Sequence, residues 1–138
     1  MNRILIYLIF NQREKRVETI EEKITNFINE NHHVQWKSED VATYLRANTC
    51  IVSMSDNGIK GVCLFHLIGD LAHVVECVIH PYFRKKNMLR WFAIQGLKRF
   101  PFISHVAFER FTKYPERHIR KYSIYKIIGI RSKNNGKR

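Results

Sequence analysis

The hydrophobic positions of residues 18–31 (ETIEEKITNFINEN) follow the spacing of one face of a helix. The apolar residues on that face are Ile20, Ile24, Phe27 and Ile28. Thr19 and Glu22 have the three-residue spacing of a capping box, so the pattern predicts a helix beginning beside Thr19. A second, shorter helix is predicted to follow, with Ser38 as its N-cap.

The middle of the chain changes to the pattern of β-strands. Residues 49–55, 60–68 and 71–80 are rich in apolar and β-branched side chains. The segments between them, 56–58 (DNG) and 69–70 (GD), contain residues that tolerate the positive φ of tight turns. This alternation of strands and turns predicts a three-stranded antiparallel meander.

A helix and a further strand complete the predicted order. Residues 87–100 carry a broad apolar face and end at Pro101, and residues 102–108 have the composition of a strand. A crossover helix predicts that this strand lies parallel to the last strand of the meander. The plan is a mixed α/β sheet. Beyond it, residues 116–128 fit one helix, whereas residues 121–128 alone fit a strand, and the pattern decides for neither.

Length and composition favour a single domain over residues 1–138, in which 131–138 is a flexible basic tail. The three cysteines lie in apolar runs without metal or redox spacing, which predicts reduced core residues in a cytoplasmic protein. Residues 4–10 are too short to span a bilayer and precede no cleavage site, so they are interpreted as a strand. The seven histidines show no local spacing for a metal, and no metal site is predicted.

The positive charge is concentrated in the second part of the chain. Residues 1–83 hold eight Lys and Arg against ten Asp and Glu, a net charge of −2. Residues 84–138 hold sixteen against two, a net charge of +14. Such an imbalance predicts an anionic partner, either a phosphate-bearing cofactor, a nucleic acid or an acidic protein. A membrane partner is not expected, because no basic stretch has a clean apolar face of useful length.

The order of elements, with VVECVIHPYFRKKNML at its centre, resembles the GNAT N-acyltransferase superfamily over residues 18–110. In that family the turn after the third meander strand carries Arg/Gln-x-x-Gly-x-Gly/Ala. Residues 79–81 (IHP) match the end of the strand, and Arg84 matches the Arg/Gln. Asn87 and Leu89 stand at the two Gly/Ala positions, so the motif is degenerate. The resemblance implies a GNAT-like fold and an acetyl-coenzyme A dependent N-acetyltransferase.

By this resemblance, the backbone N–H groups at the start of the helix bind the pyrophosphate of the cofactor, and the helix dipole adds attraction. Asn87 is expected to adopt the left-handed backbone that glycine normally supplies. Leu89 either obstructs the cofactor or turns into the core and leaves its amide accessible, while Lys85, Lys86 and Arg90 compensate by charge. The expected cofactor-binding residues are Val78, Ile79, Arg84, Lys85, Lys86, Asn87, Met88 and Leu89.

The resemblance also implies a general base on one of two strands and a tyrosine as the acid. Glu76 is the leading candidate for the base, followed by Glu109 and then His73. On an ideal strand His73 and Glu76 face opposite sides, so both reach the cleft only if a bulge intervenes. Residues 125–130 (YKIIGI) resemble the family's Tyr-x-x-x-Gly-Phe and make Tyr125 the candidate acid.

Few residues follow Gly129, and the closing hairpin of the family does not fit there. Such a shortened ending resembles the small GNAT-like proteins of bacteriophages, which would place the protein in the host cytoplasm as a monomer or homodimer. The acyl acceptor is not identified by the sequence.

A competing interpretation is that the protein has this fold but is catalytically inactive. In it, the basic and aromatic second half binds a nucleic acid or an acidic protein, with cations on phosphates and rings stacked on bases. The candidate contacts are Arg110, Lys113, Arg117, Arg120 and Lys121.

Overall fold

The computed structural model describes residues 17–84, 87–111 and 117–129, and the side chains of 109–111 and 117–119 are not part of that description. Residues 4–10, the tail 131–138, Lys85, Lys86 and Lys113 therefore lie outside the described residues. Within the described residues the sheet has five strands, in the order β1-β2-β3-β4-β5. The strands are β1 (Cys50–Ser55), β2 (Gly58–Ile68), β3 (Leu71–Ile79), β4 (His105–Phe111) and β5 (Arg117–Ser123).

Neighbouring strands are antiparallel except β3 and β4, which are parallel. This confirms the parallel strand predicted from the crossover helix. The α-helices among the described residues are α1 (Ile20–His32), α2 (Ser38–Arg46), α3 (Met88–Arg99) and α4 (Ile124–Ile128), and a 3₁₀ turn spans Pro81–Phe83. No helix in this part of the chain has the length and apolar character needed to cross a membrane.

The two N-terminal helices begin almost where the sequence predicts. The Thr19 hydroxyl accepts a hydrogen bond from the Glu22 N–H at 3.2 Å, which confirms the cap of α1. The prediction that Ser38 caps α2 is wrong by one residue. Lys37 occupies the N-cap position, and its N–H donates to the Asp40 carboxylate at 3.4 Å. Asp40 is the third helical residue, and its carboxylate satisfies the N–H of the N-cap residue, as in a capping box.

The sheet separates two hydrophobic cores. On one face α1 and α2 pack on the sheet through a cluster that includes Ile24, Ile28, Val41 and Leu64. On the other face α3 and α4 cover a cluster that includes Phe65, Val74, Phe92 and Ile124. Gly61 lets α3 approach β2, since an added Cβ would lie 3.1 Å from the Phe92 ring and 3.2 Å from the Val78 carbonyl oxygen. The start of α3 is thereby fixed close to the sheet.

The C-terminal segment contains both of the elements between which the sequence did not decide. Strand β5 ends at Ser123, and α4 begins at the next residue. The Arg90 Nε donates to the Ile128 carbonyl at 2.6 Å, so this cation holds α4 against α3. Arg90 therefore contributes to the fold through Nε, and its role in compensating for Leu89 stays a prediction.

A bulge in β3 opens the centre of the sheet. Leu64 pairs with Glu76 but Phe65 pairs with Val74, so Val75 is an extra residue in the ladder. Strands β3 and β4 pair only from Leu71↔His105 to Val74↔Phe108. Beyond the bulge no pair between these strands occurs in the described residues, although both strands continue. The sheet therefore forms a V-shaped gap between the second halves of β3 and β4.

The bulge also changes which residues share a face. Glu76 lies opposite Leu64, which belongs to the core beneath α1 and α2. His73 lies opposite His66, whose ring contacts Tyr44 of α2. Glu76 and His73 are thus on the same face, as expected only for a strand with a bulge.

Candidate functional site

A cavity of about 610 Å³ lies where β3 and β4 separate. Its wall is mainly apolar and comes from the sheet, α3 and α4, with Val74, Phe92, Val106 and Ile124 among the lining residues. His32 also lines it, although α1 packs on the opposite face of the sheet. The gap therefore connects the two faces, and the cavity has one apolar end and one end beside α1.

The start of α3 forms one edge of this cavity. Asn87 has φ 58° and ψ 35°, the left-handed conformation expected of it. In the described part of the chain no side chain caps α3, so its first N–H groups remain to meet a partner and carry the positive end of the helix dipole. Met88 is buried in the core that α3 and α4 cover.

The two arrangements predicted for Leu89 differ in where its side chain lies, either at the cofactor site or in the core. Its side chain is 49% exposed and lines the cavity, so it has not turned into the core. Arg84 lines the same cavity and donates from Nε to the Ile79 carbonyl at 3.3 Å. This contact holds a guanidinium between the end of β3 and the start of α3. A cation and an uncapped helix therefore lie at the same entrance.

The backbone of β3 beyond the bulge presents an open edge to the gap. The His80 N–H donates to the Lys60 carbonyl at 2.7 Å, so His80 bonds toward β2. Backbone hydrogen bonding alternates along a strand, which turns Val78 toward β2 and Cys77 and Ile79 toward the gap. Cys77 and Ile79 also line the cavity, whereas the Val78 side chain is buried in the core under α1. Of the two predicted contacts on this strand, Ile79 reaches the cavity.

Glu76 is held by two side chains from the α1 region. One carboxylate oxygen hydrogen-bonds the His32 Nδ1, and the other accepts from the Trp36 Nε1 at 3.3 Å. The Glu76 side chain is 15% exposed and that of His32 is 36% exposed. Only His32 of this pair lines the cavity. Sequence reasoning missed His32, because it lies 44 residues from Glu76 and no local pattern links them.

Glu109 and Tyr125, the other predicted catalytic residues, lie on β4 and α4. Glu109 pairs with Ile119 across β4 and β5, and its side chain lies outside the description. Tyr125 is exposed on α4 and does not line the cavity, whereas Tyr122 lines it and packs edge-to-face on Phe108 with centroids 6.0 Å apart. Tyr122 lies on β5 and Tyr125 on α4, so the two belong to different elements. The strand pattern of residues 121–128, which separates the two tyrosines, was the available signal for Tyr122.

The basic candidates of the second half are spread over two strands. In the backbone ladder between β4 and β5, Arg110 pairs with His118 and Arg117 pairs with Phe111. Arg120 and Lys121 are exposed on β5, but consecutive strand residues face opposite sides of a sheet. Arg120 and Lys121 therefore lie on opposite faces of the sheet. The described residues also contain no group of three or more His, Cys, Asp or Glu able to hold a metal ion.

Comparison with known proteins supports the fold. No protein-family model and no curated protein matches the sequence. Among solved structures, the chain is similar to the ribosomal-protein-S18-alanine N-acetyltransferase from Escherichia coli, with a TM-score of 0.52 and 12% identity. The match covers 70% of this chain and 65% of that one, just under two thirds of its length. The fold is GNAT-like, as the order of elements predicts.

Proposed function

We propose that this protein is an N-acyltransferase that moves an acetyl group from acetyl-coenzyme A to an amine. The observation that carries the proposal is the V-shaped gap, in which the open edge of β3 leads to the uncapped start of α3. The similarity to an N-acetyltransferase supports the same activity, with the acceptor of this protein left open.

The residues at the gap fit the parts of the cofactor. The amide groups of an extended pantetheine arm can pair with the Cys77 backbone and the Ile79 N–H, as an added strand pairs with a sheet edge. The Ile79 carbonyl already accepts from Arg84. The first N–H groups of α3 and the Arg84 guanidinium suit a pyrophosphate. The apolar cavity beside them, lined by Phe92 and Phe108, excludes water from the reacting end.

The chemical demands on the protein are small. When bound, acetyl-coenzyme A supplies an activated thioester, so the chain has to orient the amine, accept one proton and return one to the sulfur. Tyr122 is the phenol that lines the cavity and is proposed here as the acid in place of Tyr125. Glu109 and His73 remain the alternative candidates for the base.

Calorimetric titration of acetyl-coenzyme A into the purified protein tests this function. We expect a dissociation constant on the order of micromolar, weakened by added salt because charge contributes to binding. Leu89→Glu places a carboxylate at the proposed pyrophosphate site and is expected to weaken binding at least tenfold. The matched control is Ile68→Glu, at a residue 58% exposed and away from the cavity, which should leave binding unchanged.

Two outcomes contradict the proposal. In the first, the wild-type protein does not bind acetyl-coenzyme A, so the gap does not hold this acyl donor. Equal weakening by the two glutamate substitutions would show a general charge effect and no site at α3. In either case the function to test next is binding of nucleic acid or an acidic protein, for which the positive charge of the second half is the argument.

A further inference from the structure

The contacts of Glu76 raise a question about which group takes the proton. Both of its carboxylate oxygens already have partners, His32 on one side and Trp36 on the other. Glu76 does not line the cavity, whereas His32 does. An acceptor amine in the gap would therefore meet the imidazole before it met the carboxylate.

We propose that His32 is the general base of the reaction and that Glu76 is a positioning residue that acts through it. The inference rests on the proposed acyltransferase function. In the proposed step the acceptor nitrogen loses its proton to His32 Nε2 as the nitrogen–acyl bond forms and the acyl–sulfur bond breaks. The sulfur leaves with the electron pair of that bond and takes a proton from the cavity side, where Tyr122 lies.

The hydrogen bond to Glu76 determines which ring nitrogen is available. A carboxylate only accepts hydrogen bonds, so the proton of the neutral ring lies on Nδ1 and Nε2 keeps its lone pair. The Trp36 indole fixes the second carboxylate oxygen and so limits rotation of Glu76. This is the arrangement in which a carboxylate sets the tautomer and orientation of a catalytic histidine.

The position of His32 in α1 favours the charged state that proton transfer creates. His32 is the last residue of a 13-residue helix, where the unpaired carbonyl groups attract a cation. The titratable and charged groups around it are Glu76 on β3, Cys77 and Arg84 on the cavity wall, and His33 next in the chain. Of these, Glu76 is the group in contact with the ring.

The first test reads the tautomer directly and needs no acceptor. Nitrogen-15 spectra of the ring, assigned with His32→Gln, distinguish a proton on Nδ1 from one on Nε2. We expect the Nδ1–H form in the wild-type protein and a mixture in Glu76→Gln, because a neutral amide no longer requires the Nδ1 proton. An Nε2–H tautomer in the wild-type protein overturns the proposal.

The second test uses acetyl transfer to the fastest of four probe amines, namely glycinamide, spermine, and two peptides rich in Glu or in Lys. We expect His32→Gln to lower kcat by about 10²- to 10⁴-fold, with binding of acetyl-coenzyme A unchanged in calorimetry. Glu76→Gln is expected to lower kcat less than His32→Gln does, because the imidazole is still present but is no longer held in one tautomer. His33→Gln, the matched control, should change neither kcat nor binding.

The outcomes separate this proposal from the proposed function. Retention of kcat in His32→Gln overturns the role of His32 while leaving the acyltransferase intact. Loss of acetyl-coenzyme A binding together with kcat in His32→Gln shows a structural role and also overturns it. A wild-type protein that neither binds acetyl-coenzyme A nor acetylates any probe overturns the acyltransferase itself, whatever the tautomer of His32.

Discussion

Asn87 shows how one residue preserves the geometry of a turn whose glycine is missing. Its left-handed backbone, φ 58°, is one that asparagine adopts more readily than other non-glycine residues. The sequence predicts this conformation because the preference belongs to the residue itself. The exposed position of Leu89 was not predictable in the same way, because it depends on how α3 packs against the sheet.

The cysteines give a prediction at the scale of single residues. Burial raises the pKa of the Cys50 thiol to about 11, with a small opposing effect of Arg99. The hydrogen bond to Cys77 and burial raise the pKa of Cys63 well above its usual value. At pH 8 only about one Cys50 in 10³ is then a thiolate, the reactive form. Cys77 is half-buried and lines the cavity, so a thiol reagent should modify it first.

Reaction with iodoacetamide, followed by mass spectrometry, checks this order. Acetyl-coenzyme A should slow the modification of Cys77, and Cys77→Ser should remove the fast phase. Equal rates at Cys50 and Cys77, or no protection by the cofactor, would be inconsistent with the proposed position of the gap.

At the scale of elements, the closed end of the gap is held by a contact between the β2–β3 turn and the start of β4. The Ser104 N–H donates to the Asp70 carbonyl at 2.8 Å, and its hydroxyl hydrogen-bonds the Asp70 carboxylate. The hydrogen bond from the Ser104 hydroxyl is the main cause of the lowered pKa of Asp70. The charges of His105 and Lys121 lower this pKa by smaller amounts. The contact keeps β3 and β4 paired at this end while they separate beyond Val75.

This contact predicts a dependence of stability on pH. A carboxyl group whose pKa is lowered by folding stabilises the protein above its ordinary pKa of 3.8, and this contribution is lost as pH falls through the lower folded value. Ser104→Ala should therefore unfold at a higher pH than wild type in an acid titration followed by circular dichroism. Ser55→Ala, which removes a hydroxyl bonded to the Gly58 carbonyl, is the control without a carboxylate. An identical acid shift in both variants would exclude the role of Asp70.

The limits of prediction from sequence also lie at this scale. The pattern identified the helices, the meander and the parallel strand, because each extends over several residues. The bulge at Val75 adds a single residue to an apolar run and leaves no mark in the periodicity. The boundary between Ser123 and Ile124 lies within the ambiguous window, so the helical and strand patterns each described part of it. The His32–Glu76 contact depends on how α1 packs on β3, which local patterns do not encode.

At the scale of the molecule, the charge of residues 84–138 favours an acidic acceptor over a polycation. Arg90 and Arg99 donate to backbone carbonyls of the fold, while Arg120 and Lys121 are exposed. We expect kcat/KM to be about tenfold or more higher for a Glu-rich peptide than for a matched Lys-rich peptide at low salt. The difference should shrink as ionic strength rises. Spermine or the Lys-rich peptide as the best acceptor would contradict this expectation.

In the proposed function the acyl donor binds along the open edge of β3. Amide hydrogen exchange at residue resolution, with and without acetyl-coenzyme A, tests it most directly. Bound cofactor should slow exchange at Cys77 and Ile79, which face the gap, and at Leu89 in the first turn of α3. Val78, which bonds toward β2, should change far less and serves as an internal reference. Unchanged exchange at Cys77 and Ile79, in protein shown to bind the cofactor, would contradict the account.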